Sequence, residues 1–249
     1  MPEQRFSVAY ENSCSTGCLL KTDFIEGDKR IYLKLSHRGQ FAYGKESVCE
    51  VISSRIGRQL GFQILEYYPC LVDLMNAKAP YLGCYSYDYA ICDVRYTALE
   101  ACEAVYGPYS AGLHSLQKMG FEDFVNQVII FDYLVGNTDR HSGNLEFFMT
   151  DEGLVPAPIF DSGKSLLCTY AMYPKMWSQD QITNNFLTQN HTFNTFKYCK
   201  FIALQSLDTI NWHHVFEDVD GFLSTDEMQS AKNFVEYQYR TLVKRGLIV

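Results

Sequence analysis

The 249-residue chain is long enough for one large domain or two small lobes. With 47% hydrophobic residues, 17 Phe and 18 Tyr, it can bury a substantial core. Its formal net charge of −8 argues against a primary nucleic-acid binder, which usually presents a basic face, while leaving room for a local basic pocket. No stretch approaches the ~18–20 apolar residues of a membrane span. The nine cysteines are odd in number, irregularly spaced and preceded by no apolar leader, so free thiols in a reducing cytoplasm are expected rather than a disulfide framework. In that compartment the sequon Asn190-His191-Thr192 is a chance match.

In chain order, residues 5–10 and 30–36 ("RIYLKLS") read as strands. Between them lies a loop of small polar residues and then a hairpin ending in Gly27-Asp28. In "GKESVCEVISSRIGRQLG", Val48, Ile52, Ile56 and Leu60 recur every four residues, a helical stripe that Gly61 stops as a C-terminal cap. "LEYYPCLVDL" and "APYLGCYSYD" read as two further strands. Residues 1–87 therefore form a small α+β lobe, and residues 88–249 turn mainly helical. "FEDFVNQVIIFDYLV" is an apolar helix ended by Gly136, and "LEFFM" and "LVPAPIF" form a hairpin over "TDEG". The C-terminal third reads as helices, the last opened by the cap-like Ser224-Thr225-Asp226-Glu227.

The chemistry concentrates in "GNTDRHSGN" and "PIFDSGKS". Asp139 follows the helix-ending Gly136 by three residues, Asn144 lies five further on, and Asp161 follows the returning strand. Phosphoryl transfer has a separate task for each group: a carboxylate orients the acceptor hydroxyl, while a carboxamide and a second carboxylate hold Mg²⁺ through hard oxygens. The five-residue gap is the spacing of protein-kinase catalytic loops. Arg140 is open between a pairing with Asp139 and a contact with phosphate.

These paired motifs resemble the HipA-like serine/threonine kinases, relatives of the phosphatidylinositol-kinase-like branch of the kinase fold. The resemblance covers most of the chain in order. It implies a two-lobed protein-kinase-like α+β fold, with a small antiparallel-sheet N-lobe and a mainly helical C-lobe, dependent on ATP and Mg²⁺. Asp139 would be the catalytic base, and Asn144 and Asp161 the metal ligands. Lys34, costly to bury unpaired in its apolar strand, matches the nucleotide-binding lysine. Glu46 and Glu50 both qualify as its partner, and similarity of "CEVISSRIGRQLG" to the family's helix favours Glu50.

"SCSTGCLLK" resembles the family's phosphate loop at Ser15, Gly17 and Lys21, with Thr16 beside them, and departs from it at Leu19, where the family carries Gln. Gly17 lets backbone amides approach anionic oxygens. Ser13, Ser15 and Thr16 are candidates for self-phosphorylation, because members of this family are switched off by modification of this loop and a dianion there would repel nucleotide phosphates. Cys14 and Cys18 lack the second pair a zinc site needs. The adenine is expected at Cys84, Tyr85, Ser86 and Tyr87, after the fifth strand. His141, grouped with the nucleotide site, is expected to brace its loop by hydrogen bonds.

By resemblance, the substrate is a protein, a translation factor or aminoacyl-tRNA synthetase among the possibilities, and the partner an antitoxin, with no direct nucleic-acid or membrane contact. The chain is shorter than the longer HipA-like proteins, which carry an extra N-terminal subdomain; that piece is either a separate protein or absent, and contacts made through it, some to a DNA-binding antitoxin, stay open. Two other readings stand beside this one. The first is a lipid or small-molecule kinase, since "DRHSGN" also looks like the phosphoinositide-kinase loop; the second is a pseudokinase that binds nucleotide without turnover.

Overall fold

In a computed structural model of the chain, the described residues are 2–8, 21–36, 44–74, 80–92, 94–107, 113–166, 168 and 199–248. Ser13, Ser15, Thr16 and Gly17 lie outside them, as do Cys14, Cys18, Leu19 and the sequon. A five-stranded sheet is built from β1 (Arg5–Val8), β2 (Lys21–Glu26), β3 (Lys29–Leu35), β4 (Tyr68–Leu74) and β5 (Tyr81–Tyr87), in the order β1-β4-β5-β3-β2. Glu26 pairs with Lys29 across the Gly27-Asp28 turn, where Gly27 takes a φ of 65° that a side chain would resist. Three of the four seams are antiparallel; the edge pair β1–β4 is parallel, so the antiparallel expectation fails at that seam. Successive side chains of a strand point to opposite faces. In β3 this buries Ile31, Leu33 and Leu35 in a small core with Phe6, Cys70 and Val72, and turns Lys34 to the other face.

That other face receives α1 (Glu46–Leu60), which ends at Gly61 in the left-handed conformation, as its sequence predicts. Its stripe of Val48, Ile52, Ile56 and Leu60 joins one continuous core with α4 (Glu122–Val135) and α6 (Thr225–Lys244). In chain order, α2 (Ala98–Tyr106) and α3 (Leu113–Lys118) precede α4, and α5 (Trp212–Phe216) precedes α6. The hairpin of β7 (Glu146–Thr150) and β8 (Gly153–Pro156) carries a third strand that sequence patterning missed, β6 (Arg95–Thr97), whose three residues are too few to show alternation. Ser224 caps α6 in a reciprocal pair with Glu227.

Polar contacts also tie α1 to the C-terminal elements. Arg55 donates to the carbonyls of His214, Val215 and Glu217, and Lys45 donates to Phe222. Just past α1, Leu65 donates to the Ile159 carbonyl and Ile159 to that of Gln63. At the contact of α1 with α4, a Cβ added to Gly57 would stand 2.8 Å from the Phe131 ring, which is fully buried. Gly57→Ala should therefore destabilise the fold by about 1 kcal/mol, because overpacking of ~1–3 kcal/mol outweighs a helix-propensity gain near 1 kcal/mol. A fall in Tm of about 2–4 °C is the expected reading; a rise would show that Phe131 can yield.

Candidate active site

Lys34 projects from β3 toward α1 and finds three acceptors. Its Nζ lies 2.7 Å from Glu50 Oε1, 2.8 Å from Asp161 Oδ1 and 3.1 Å from the Tyr67 hydroxyl. The side chain is 12% exposed and the Glu50 side chain 3%. Burial pushes the ammonium pKa down, but Glu50, Tyr67 and Asp161 together outweigh it and hold Lys34 well above its ordinary value. Of the two candidate glutamates, Glu50 is the one bonded to Lys34. Its second oxygen accepts the backbone N–H of Ser162 at 2.8 Å, so one carboxylate fastens α1 both to the lysine and to the loop carrying Asp161. Burial, the largest influence on Glu50, raises its pKa against the pull of Lys34.

Asp161 holds a φ of 61°, uncommon for a residue other than glycine. The loop that imposes this is fixed along its length. A Cβ on Gly163 would press on the Glu46 carbonyl at 3.3 Å, the Ser165 hydroxyl meets that of Ser53 at 2.7 Å, and Leu166 N–H donates to Val135. Burial pushes the Asp161 carboxyl up, yet Lys34, Lys21 and Arg140 prevail and hold it far below the usual carboxylate range. Lys21, directly opposite Lys34 in the β2–β3 register, thus acts on the same carboxylate.

The second loop leaves α4 at Gly136, with a φ of 67°. Arg140 carries its architecture. Its fully buried guanidinium grips Asp132 of α4 with two bonds, Nε to Oδ2 at 2.9 Å and Nη2 to Oδ1 at 3.0 Å. Its Nη1 donates to the carbonyls of Asn144 and Phe160. One cation therefore joins the loop holding Asp139 and Asn144 to the residue preceding Asp161. This decides the open question about Arg140: it pairs with neither Asp139 nor a site open to phosphate. Asn137 adds a bond to Asp132 at 2.9 Å and accepts the Asp139 N–H at 3.1 Å. His141 braces the loop as expected, its Nδ1 accepting from Gly143 N–H at 3.1 Å.

Asn144 donates its amide to the Asp139 carbonyl at 3.1 Å, and its Oδ1 accepts from His141 N–H at 2.9 Å. A carbonyl oxygen has two lone pairs, so one remains. With the Asp161 carboxylate, this is a pair of hard oxygen donors of the type Mg²⁺ takes. Among the described residues no group of three or more His, Cys, Asp or Glu could hold a metal ion. Two protein oxygens suit a cation that keeps waters and phosphate oxygens in its other positions. Asp139 differs from both: its side chain is 52% exposed, and Lys164 Nζ lies 3.6 Å from it.

The four residues expected to hold the adenine after the fifth strand, Cys84 to Tyr87, lie within that strand instead. Cys84 pairs with Lys34 and Pro69, and Tyr85 with Leu33 and Tyr68, so both lie inside the sheet between two strands. Ser86 and Tyr87 pair with β3 alone, and the chain leaves the strand at Asp88. The strand runs from Tyr81 to Tyr87. Sequence reasoning also missed Tyr67, Asp132, Asn137 and Lys164. Only Asp132 carried a signal, as a carboxylate in an apolar helix that demands a partner.

Neither a family model nor a curated protein matches the sequence. Solved structures do. The structure of CtkA, a proinflammatory kinase of Helicobacter pylori, superposes with a TM-score of 0.61 at 13% identity, covering 95% of this chain and 93% of that one. The fold is kinase-like. HipA of Shewanella oneidensis MR-1, solved with HipB and operator DNA, superposes with a TM-score of 0.45 at 14% identity, and the match spans 58% of that chain. No helix among the described residues is long and apolar enough to cross a membrane.

Proposed function

We propose that this protein is a Mg²⁺-dependent kinase that transfers the γ-phosphoryl group of ATP to a serine or threonine hydroxyl of a protein. The observation that carries the reading is the Lys34 ammonium bonded at once to Glu50 and Asp161. A buried lysine shared by a helix carboxylate and a loop carboxylate has little value as a stability device, since desolvation offsets most of the attraction. It is well placed to bind phosphates. The kinase-like fold and the motifs "GNTDRHSGN" and "PIFDSGKS" support the same assignment.

In this mechanism Lys34 exchanges its bond to Asp161 for the nucleotide phosphates and stays aligned by Glu50 and Tyr67. Asn144 and Asp161 hold the metal, which when bound neutralises charge on the phosphate oxygens. Asp139 accepts the proton of the acceptor hydroxyl as that oxygen bonds to the γ-phosphorus and the bond from phosphorus to the β-phosphate oxygen breaks, leaving ADP. Arg140 keeps the two loops in register while water-facing Asp139 receives the substrate. In-line transfer of this kind depends on positioning and charge more than on covalent help.

Incubation of the full chain with radiolabelled ATP, Mg²⁺ and a cell lysate should label a lysate protein, the chain itself on the peptide holding Ser13, Ser15 and Thr16, or both. In parallel, Asp161→Ala should abolish the metal-dependent part of nucleotide binding. A wild-type protein that binds ATP but labels nothing is a nucleotide-binding scaffold and refutes the kinase reading.

A further inference from the structure

The loop after Asp161 brings in a cation to which no role has yet been given. We propose that Lys164 contacts the γ-phosphoryl group during transfer, as a third lysine on the acceptor side of the reaction. This rests on the kinase reading and adds a catalytic residue to it.

The position of Lys164 is set by its backbone. Its carbonyl accepts both the N–H of Thr138 at 3.1 Å and the Thr138 hydroxyl at 3.2 Å, directly beside Asp139. Gly163 before it is pressed against α1, and Ser165 after it is bonded to Ser53. The main chain at 164 is thus anchored from both loops and from α1, while its side chain stays 46% exposed and reaches to 3.6 Å from Asp139 Oδ2. A half-exposed pair at that separation adds little to stability, so the ammonium can exchange Asp139 for an anionic ligand at little cost while its backbone stays fixed.

The charges of the site fall on two sides. Lys34 and Lys21 act on Asp161, on the nucleotide side. Arg140 is enclosed by Asp132 and two carbonyls and has no freedom to reach a ligand. Lys164 stands beside the carboxylate that receives the acceptor's proton. A phosphoryl group in flight toward a hydroxyl on Asp139 passes the same ammonium. In that transition state, charge is spread over three equatorial oxygens, and a pre-placed cation stabilises it more than it does the ground state. The lysine's compact charge on a flexible stem suits a contact that forms as the group moves.

The test compares wild-type protein with Lys164→Met and Lys164→Arg, measuring transfer of the γ-phosphoryl group of radiolabelled Mg²⁺–ATP to protein, and equilibrium binding of Mg²⁺–ATP and Mg²⁺–ADP separately. Lys164→Met is expected to slow turnover by about 100-fold and to weaken ATP several-fold, with ADP affinity and Tm unchanged; Lys164→Arg should retain part of both losses. Wild-type turnover in Lys164→Met, or an equal loss of ATP and ADP affinity, overturns the proposal. A wild-type protein that binds ATP without turnover removes the kinase reading and the proposal with it, whereas a loss confined to Lys164→Met bears on the lysine alone. A wild-type protein that binds neither nucleotide removes the kinase reading itself, which is a distinct result.

Discussion

Replacing Asp139 with alanine should lower phosphoryl transfer by about 10²–10⁴-fold, the range a positioned general base contributes, while Mg²⁺–ATP still binds with close to wild-type affinity. The reason is the division of the site. Asp139 is half exposed and pairs with Lys164, whereas Lys34 pairs with Glu50 and Asp161. Its backbone contributions survive the substitution, because the N–H bond to Asn137 and the carbonyl bond to Asn144 need no side chain. Single-turnover transfer measured beside equilibrium nucleotide binding checks this. Loss of both together would place Asp139 on the nucleotide, and an unaffected rate would remove it from the chemistry.

The largest effect on stability is expected from Asp132→Ala. That change leaves the Arg140 guanidinium buried with its principal counter-charge gone, and breaking one side of a buried ion pair costs about 3–5 kcal/mol. Since folded proteins are stable by only ~5–15 kcal/mol, a loss of that size should appear as a large drop in urea midpoint or as ready proteolysis. Replacing both partners, with Asp132→Leu and Arg140→Met, should recover part of the stability, because no charge is stranded although the Asn137 amide and two carbonyls lose their partner. It should not recover activity, since the carbonyls of Asn144 and Phe160 lose the donor that joins them. Single and double variants of equal stability would mean that the pair is not the support described here.

Much of this molecule could be read along the chain because the physics involved is local. The four-residue stripe of α1 and its stop at Gly61, the Gly27-Asp28 hairpin, the end of α4 at Gly136 and the Ser224 cap each depend on residues within one or two turns of each other. The spacing of Asp139, Asn144 and Asp161 was legible for the same reason: loop and hairpin lengths set it. The preference for Glu50 over Glu46 came from the resemblance of its helix, since both lie one turn apart on the same element; the packing of α1 on the sheet is what brings Glu50 onto Lys34.

Arg140 shows most clearly what a sequence cannot say. Beside Asp139 in the chain, it looks like a partner for that carboxylate or for phosphate. In the fold it turns inward to Asp132, eight residues earlier, because α4 presents a carboxylate in a dry interior where an unpaired charge is most costly. Tyr67 on Lys34 and Lys164 beside Asp139 likewise depend on distant segments brought together. Local patterning decided which elements form and where the reactive groups sit along them. Burial decided which charges meet, because the energy of an ion pair depends on its surroundings, and only tertiary packing creates those.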